Sequence, residues 1–448
     1  MSDGILSKEG EVRVEEFGNV FYLRKELSRG GQGVVYRTKD PDLAIKQPLN
    51  PETGEVDLGS DMKRVFRGVR SLPIPKDIRV ALPLSILRDQ PGYVMRLLNG
   101  MQPFDGAFYL KGDVKEKMKA VEFPSWLADV EPDQAIPLLN YLQTGSTKKR
   151  LLALAGCAAV LSRLHNNGLV YCDVSPNNVF LNRANDEVWL IDADNLRFEQ
   201  RRGGATVYTP RFGSPEVVQG LDSSREVSDV WSFAVMAFEM LSLCHPFIGQ
   251  RDLDPEGSDG GWDCDETNET EDFEDLDEKA YAGYFPFVDD EEDDSNDAAN
   301  AGLPRSLVLT PMLRWMFQQT LGYGRTNPQR RTPLSLWAMA MAQAYDHSLV
   351  CPCCKMSYYA DEEVCPYCDA PKPRFVTIES EVWDLIVQEG RDFFDIPFRL
   401  LHPFDLQRFN EVTEYRLSID FAKESVLPAR GYADPSGLIE FQFSKEDL

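Results

Sequence analysis

The stretch Tyr171-Cys172-Asp173-Val174-Ser175-Pro176-Asn177-Asn178 constrains this chain more than any other. It follows a helical pattern over 148–167, in which Leu151, Leu154, Ala155, Ala158, Leu161 and Leu164 recur at helical spacing. Asn166-Asn167-Gly168 ends that run. Leu169-Val170 and Val188–Ile191 read as short strands around the polar loop. On so tight a loop Asp173 and Asn178 can converge on one point, one orienting a hydroxyl nucleophile and the other holding a metal. Asp192 then places a second carboxylate at the end of an apolar strand, suited to Mg²⁺. A strand-end Asp is by itself often only a turn residue.

Two upstream features point the same way. Leu27–Tyr36 carries Gly30, Gly31 and Gly33, which would let a strand–turn–strand bring backbone N–H groups close to phosphates. A plain glycine-rich hairpin turn fits that stretch as well. Lys46 ends the apolar strand Ala44-Ile45, and a buried ammonium there must find an anion. A surface lysine lying along the sheet is the alternative.

With these residues in this order the chain resembles the eukaryotic-type serine/threonine protein kinases found widely in bacteria, over about 12–347. Ser214-Pro215-Glu216 is similar to the tripeptide that closes the activation segment. Asp229-Val230-Trp231-Ser232 resembles the start of the buried helix of the helical lobe, and Asn327–Arg331 the late arginine motif. The resemblance implies an α+β, two-lobed kinase fold using ATP and Mg²⁺. It further implies that Gly30, Gly31 and Gly33 cover the phosphates, that Val35 and Ala44 sandwich the adenine, and that Met95 is the gatekeeper with Arg96–Leu98 as hinge. Lys46 would hold the α and β phosphates, Asn178 and Asp192 the Mg²⁺, and Asp173 the acceptor hydroxyl. Arg331 would pair with Glu216, Asp229 would hold the loop's backbone, and Thr209 suggests Ser/Thr acceptors.

Several departures from the family pattern bear on activity. Tyr171-Cys172 replaces His-Arg, so the arginine that reads an activation-loop phosphate is missing and activity independent of Thr206 phosphorylation is expected. Ser175 stands where a lysine is usual, Ala193-Asp194 where Phe-Gly is usual, and Ser28 where the first loop glycine is usual. The helical run over 60–70 has no Glu, which leaves Asp61 or Glu55 to pair with Lys46. A pseudokinase scaffold that binds nucleotide and partners without efficient transfer is therefore the alternative. A small-molecule kinase shares the Asp-to-Asn loop, but the Pro-Glu and Asp-x-Trp-Ser motifs speak against it.

Cys351-Pro352-Cys353-Cys354 and Cys365-Pro366-Tyr367-Cys368 form two Cys-x-x-Cys knuckles, so Cys351, Cys354, Cys365 and Cys368 can close one structural Zn²⁺ site with Cys353 spare. With Asp361, Glu362 and Glu363 beside it, the ribbon reads as a protein-contact or spacing module rather than a nucleic-acid binder. A kinase followed by such a ribbon is similar to kinases of tellurium-resistance-associated phosphorylation triads, which implies a von Willebrand A protein and a metal-dependent phosphatase as partners.

The net charge of −26 is local: 251–300 holds 21 acidic residues against Arg251 and Lys279, leaving −7 for the rest. Such a balance excludes a general polyanion binder. Trp262, Phe273, Tyr281, Tyr284, Phe285 and Phe287 punctuate the segment, which is either a solvated loop or a partly folded docking element. The expected organisation is an N-lobe over 12–98, a C-lobe over 99–347 with an acidic insertion over 251–303, a zinc ribbon over 348–371 and a small β-rich domain over 372–448. No signal peptide or membrane span is read, which together with scattered cysteines suggests a cytoplasmic protein acting on protein substrates.

Overall fold

Runs of Val, Phe and Tyr broken by Gly and Pro make six short strands ahead of Leu98, and these form one antiparallel sheet. In the computed structural model they are β1 (Val12–Val14), β2 (Val20–Gly30), β3 (Gly33–Thr38), β4 (Leu43–Pro48), β5 (Pro83–Ile86) and β6 (Tyr93–Arg96). Their order is β1-β2-β3-β4-β6-β5. The structure describes residues 10–30, 33–50, 52–59, 61–110, 125–127, 132–182, 187–199, 206–253, 276–298, 302–379, 384–388, 415–419, 426–433 and 439–442. Helix α1 (Met62–Arg70) packs on the sheet through Phe66, whose ring meets Tyr93 edge-on at 4.8 Å between centroids.

The helical lobe is built on α2 (Ser146–His165), whose six patterned apolar residues are all buried. Helix α3 (Glu226–Ser242) is mostly apolar and sits inside the helical part, its Asp229 and Glu239 buried with hydrogen-bond partners. Helix α4 (Leu334–Asp346) completes the core, with Trp337 against Phe233 and Phe317. A helix ahead of α4 in the chain is α-helical over Pro311–Phe317 and then widens into a π-helical turn, Gln318–Tyr323. There the Gln318 side chain turns inward, donating to Asp290 Oδ1 at 3.2 Å and accepting from Glu291 N.

Short strands carry the loops of interest: β7 (Gln102–Pro103), β8 (Leu169–Val170), β9 (Val179–Leu181), β10 (Val188–Leu190) and β11 (Arg197–Phe198). They form two small sheets, β10-β9-β7 and β11-β8. At β10 the chain meets the segment ahead of the six-stranded sheet's last two strands, with Leu190 N donating to Arg79 O at 2.9 Å and Ala81 N to Leu190 O at 2.8 Å.

The acidic insertion is not one thing. Its second half, 276–298, is part of the helical lobe: Ala280, Phe285, Phe287, Val288 and Ala298 belong to the main core. Asn296 Nδ2 donates to Pro286 O at 2.8 Å and Phe247 O at 3.1 Å, which pins the segment. Residues 254–275, with Trp262, Cys264 and Phe273, lie outside the described residues.

One buried ion pair staples the lobe. Arg331 donates to both Glu216 oxygens, at 2.7 and 2.8 Å, and its guanidinium lies over the Trp231 ring. Burial acts to raise the Glu216 pKa, but the Arg331 hydrogen bonds and charge outweigh it and hold the carboxyl below its ordinary range. A depressed carboxylate stabilises the fold fully above its unfolded value and loses that contribution as pH falls through the folded one. Glu216→Gln leaves the Arg331 charge buried and unpaired, so a loss of about 3–5 kcal/mol is expected in denaturant melts near neutral pH. The difference from the parent should shrink on acidification, and a constant difference down to pH 3 would show that the charge is not the cause.

Beyond α4, β12 (Ser348–Val350) and β13 (Ser357–Tyr359) pair as a hairpin whose connection carries the first cysteine knuckle, with the second following β13. A five-stranded antiparallel sheet follows, from β14 (Phe375–Glu379), β15 (Asp384–Gln388), β16 (Tyr415–Ile419), β17 (Val426–Ala433) and β18 (Ile439–Gln442). Its order is β15-β14-β16-β17-β18. The Gln388 amide clips it to the hairpin, accepting from Val350 N and donating to Val350 O, both at 2.9 Å.

Candidate active site

Lys46 stands in the middle of β4, opposite Val35 on β3 and Tyr93 on β6. Its side chain is 6% exposed, so its ammonium needs partners. Two carboxylates from one short turn supply them. Lys46 Nζ donates to Asp194 Oδ2 at 2.7 Å and also to Asp192 Oδ1. Burial alone would lower the Lys46 pKa, yet Asp194 and then Asp192 outweigh it and hold the ammonium above its ordinary value. Tyr93 Oη donates to the other Asp194 oxygen at 2.8 Å. Burial pushes the Asp194 carboxyl up to about 6, against the pull of Lys46.

This differs from the sequence expectation for the lysine's partner. Asp61 and Glu55 are both exposed. The face that α1 turns to the sheet is apolar, with Phe66 and Met62 packed near Tyr93, so no carboxylate arrives from that side. The signal available in the sequence was the acid at 194, two residues past Asp192, in a chain whose α1 segment has none.

Asp173 is buried on the loop after β8. Thr209 Oγ1 donates to Asp173 Oδ1 at 2.6 Å and Asn178 Nδ2 to Asp173 Oδ2 at 3.0 Å. Burial raises the Asp173 pKa, with the Thr209 hydrogen bond acting against it. The loop is held from beneath by Asp229, which accepts from Tyr171 N and Cys172 N, each at 2.8 Å, and contacts His165 Nε2 at 3.0 Å. That grip matters because Cys172 has φ +75°, a left-handed conformation that costs a residue with a Cβ about 1–3 kcal/mol. Tyr171 Oη donates to Ile191 O, which fills the place between the loop and β10.

Asn178 and Asp192 are brought side by side by the backbone, through Ile191 N donating to Asn178 O at 2.9 Å. Asn178 donates through its nitrogen, so its side-chain oxygen, with the Asp192 carboxylate, is the donor set offered to a hard cation. This oxygen chemistry fits Mg²⁺. Ser175 Oγ is buried with no hydrogen-bond partner among the described residues.

The remaining site residues lie on the sheet above. Gly30 and Gly33 face each other across the β2–β3 hairpin, and Gly31 lies outside the described residues. Gly33 is required by close approach, since a Cβ there would stand 2.8 Å from Gln47 O and 2.9 Å from Lys46 Cε; at Gly30 nothing lies within 4 Å. Val35, Ala44 and Met95 share one apolar cluster with Leu97 and Ile191. Arg96 lies over the Trp189 ring at 5.6 Å, and Leu97 N donates to Asp42 O. Leu98 is half-buried and stands outside that cluster, so of the expected hinge residues Arg96–Leu98 it is Leu97 that packs against the cluster.

Away from this site, Cys351, Cys354, Cys365 and Cys368 bring four sulfurs within 4.8 Å of one another. Sγ–Sγ distances are 3.6 Å for Cys351–Cys368 and 3.5 Å for Cys354–Cys365. Zinc–sulfur bonds of about 2.3 Å in a tetrahedron separate sulfurs by about 3.8 Å, so the cluster fits Zn²⁺. Cys353 N and Cys354 N both donate to Cys351 Sγ, which suits a thiolate, and Cys353 is exposed as expected of a spare. The hairpin is welded to the helical lobe rather than spaced from it. Ser357 Oγ accepts from Lys148 N, Lys148 Nζ donates to Ser348 O, and Tyr359 Oη donates to Val308 O.

Residues 137–280 match the family description "Protein kinase domain". The chain is 24% identical over 242 residues to the serine/threonine-protein kinase pkn2 of Myxococcus xanthus, covering 51% of this chain and 25% of that protein. It is 31% identical over 235 residues to a probable serine/threonine-protein kinase of Dictyostelium discoideum, covering 50% of this chain and 37% of the relative. It is 37% identical over 93 residues to protein kinase C delta type of Mus musculus, 20% of this chain and 13% of the relative. Residues 137–280 are thus similar to a protein kinase domain, serine/threonine kinases are among the relatives, and the chain spans well under half the length of each of these three.

Proposed function

We propose that the chain is an ATP- and Mg²⁺-dependent serine/threonine protein kinase that also phosphorylates itself. The observation that carries this reading is Asp173 held between Thr209 and Asn178, 2.6 and 3.0 Å away, on a loop bonded to the strand that ends in Asp192. A carboxylate so placed can orient an acceptor hydroxyl, and Thr209 beside it suits a serine or threonine. Gly30, Gly31 and Gly33 cover the phosphates. Val35 and Ala44 hold the adenine, with Met95 at its back and Arg96 and Leu98 in the hinge. Lys46 holds the α and β phosphates. Asn178 and Asp192 hold Mg²⁺, which when bound neutralises phosphate charge.

The Cys₄ cluster holds a structural Zn²⁺. The lobes divide near residue 98, with the ribbon over 348–371 and the β-rich unit over 372–448. Among the described residues no helix is long and apolar enough to cross a membrane. A cytoplasmic site of action agrees with the reduced cysteines that zinc requires. The von Willebrand A protein and metal-dependent phosphatase rest on the succession of kinase and ribbon alone.

The test is incubation of the purified chain with labelled ATP, Mg²⁺ and a general protein substrate, beside Asp173→Ala, followed by identification of the labelled residues. Asp173-dependent phosphoserine or phosphothreonine is the expected result. Label that does not depend on Asp173, or none, would instead leave a nucleotide-binding scaffold. Thr206 is exposed and the residue before Asp173 is the uncharged Cys172, so the arginine that would read a loop phosphate from that position is missing. Phosphorylating Thr206 should leave the transfer rate essentially unchanged, and a large rise would contradict this reading.

A further inference from the structure

We infer that Asp194, and no carboxylate of the α1 region, is the residue that positions Lys46 for nucleotide. The inference rests on the kinase reading for what Lys46 does, and on geometry alone for what holds it. Two observations carry it, and one consequence of the kinase reading adds to them. Asp194 is the more deeply buried of the two lysine partners, its side chain 7% exposed against 22% for Asp192. Both its oxygens are committed, Oδ2 to Lys46 and Oδ1 to Tyr93 Oη, so its rotamer is fixed from β4 and β6 together. Asp192 would have a competing duty if it and Asn178 held a cation, which would leave Asp194 as the standing partner.

The surroundings explain why the partner comes from this turn. Helix α1 gives the site Phe66, packed on the ring of Tyr93, and Tyr93 in turn orients Asp194. The helix therefore supports the ion pair through an apolar contact instead of donating a charge to it. The turn Ala193–Asn195 follows Asp192, itself in the left-handed region at φ +55°, so the two carboxylates of one tripeptide reach the same ammonium. Outward movement of α1 would then not remove the counter-charge from Lys46, and the lysine stays placed without an activating shift of that helix.

The pairing is read by two measurements on the full chain as wild type, Asp194→Asn, Asp61→Asn and Glu55→Gln. In nucleotide-free protein, modification of Lys46 by an amine-acylating reagent is followed by mass spectrometry, with buried Lys148 as the fold control. Asp194→Asn keeps the volume and a partner for Tyr93, and should speed Lys46 modification several-fold while Lys148 is unchanged. The two α1-side variants should match wild type. In the transfer assay Asp194→Asn should lower kcat/KM for ATP about 10²-fold, the scale expected when a catalytic group is misplaced. Unchanged Lys46 modification in Asp194→Asn, or an increase in Asp61→Asn or Glu55→Gln, overturns the inference. If wild type shows no Asp173-dependent transfer while Asp194→Asn still releases Lys46, the kinase reading falls and the pairing stands.

Discussion

Asp173→Ala is expected to reduce phosphoryl transfer by about 10²–10⁴-fold while leaving the protein folded and able to bind nucleotide. The size follows from what the side chain can do: it alone on the loop offers a carboxylate where an acceptor hydroxyl must be oriented, and little else in such a transfer is covalent work for the protein. The fold should survive because the loop backbone is held by Asp229 beneath it and not by Asp173. Thr209→Val should cost less, since it removes one hydrogen bond to Asp173 and leaves the bond from Asn178. Steady-state rates with ATP affinity measured separately check both. A fall in ATP affinity equal to the fall in rate would point to a binding role instead.

Removing the metal from the Cys₄ site, by a strong chelator or by Cys365→Ser, is expected to destabilise the helical lobe as well as the ribbon. Structural zinc in isolated ribbons supplies about 10–16 kcal/mol of folding energy. Here Cys351, Cys354, Met356, Tyr358, Tyr359 and Cys365 are buried in the same core as α2 and α4. Losing the hairpin therefore uncovers the start of α2, where Ser146 and Lys148 bond to Ser357 and Ser348. A loss of roughly 4–5 kcal/mol or more, the range reserved for a lost metal or core, should appear as a lower thermal midpoint of the whole chain. Cys353→Ser, at the exposed spare cysteine, should change nothing. One zinc per chain by elemental analysis is the direct check, and none in freshly purified reduced protein would end the proposal.

The elements and motifs that depend on neighbours in the chain were legible beforehand. Helix α2 and strands β8 and β10 follow from local periodicity, because a helix or strand shows its buried face in its own spacing, and the buried helix α3 was expected from the family resemblance of Asp229–Ser232. The pairings Arg331–Glu216 and Asp229 to the loop backbone were expected from the family resemblance, and both are present. The acidic insertion was less legible. Phe285 and Phe287 stood out from its charge, but that they enter the core with Ala280, Val288 and Ala298 did not, because composition averaged over 50 residues cannot separate a charged surface from the buried side of the same segment.

By itself the sequence determined the candidates: a lysine that must find an anion, an Asp and an Asn on one loop, a strand-end carboxylate and four paired cysteines. Tertiary structure alone decided which of them meet. Lys46 and Asp194 are 148 residues apart, and nothing local to either says that Tyr93 and Phe66 will close the space between them. The same holds for the ribbon, whose place against Ser146 and Lys148 joins segments about 200 residues apart. Motifs persist in sequence because chemistry needs particular atoms, whereas partnership depends on which faces the fold packs together.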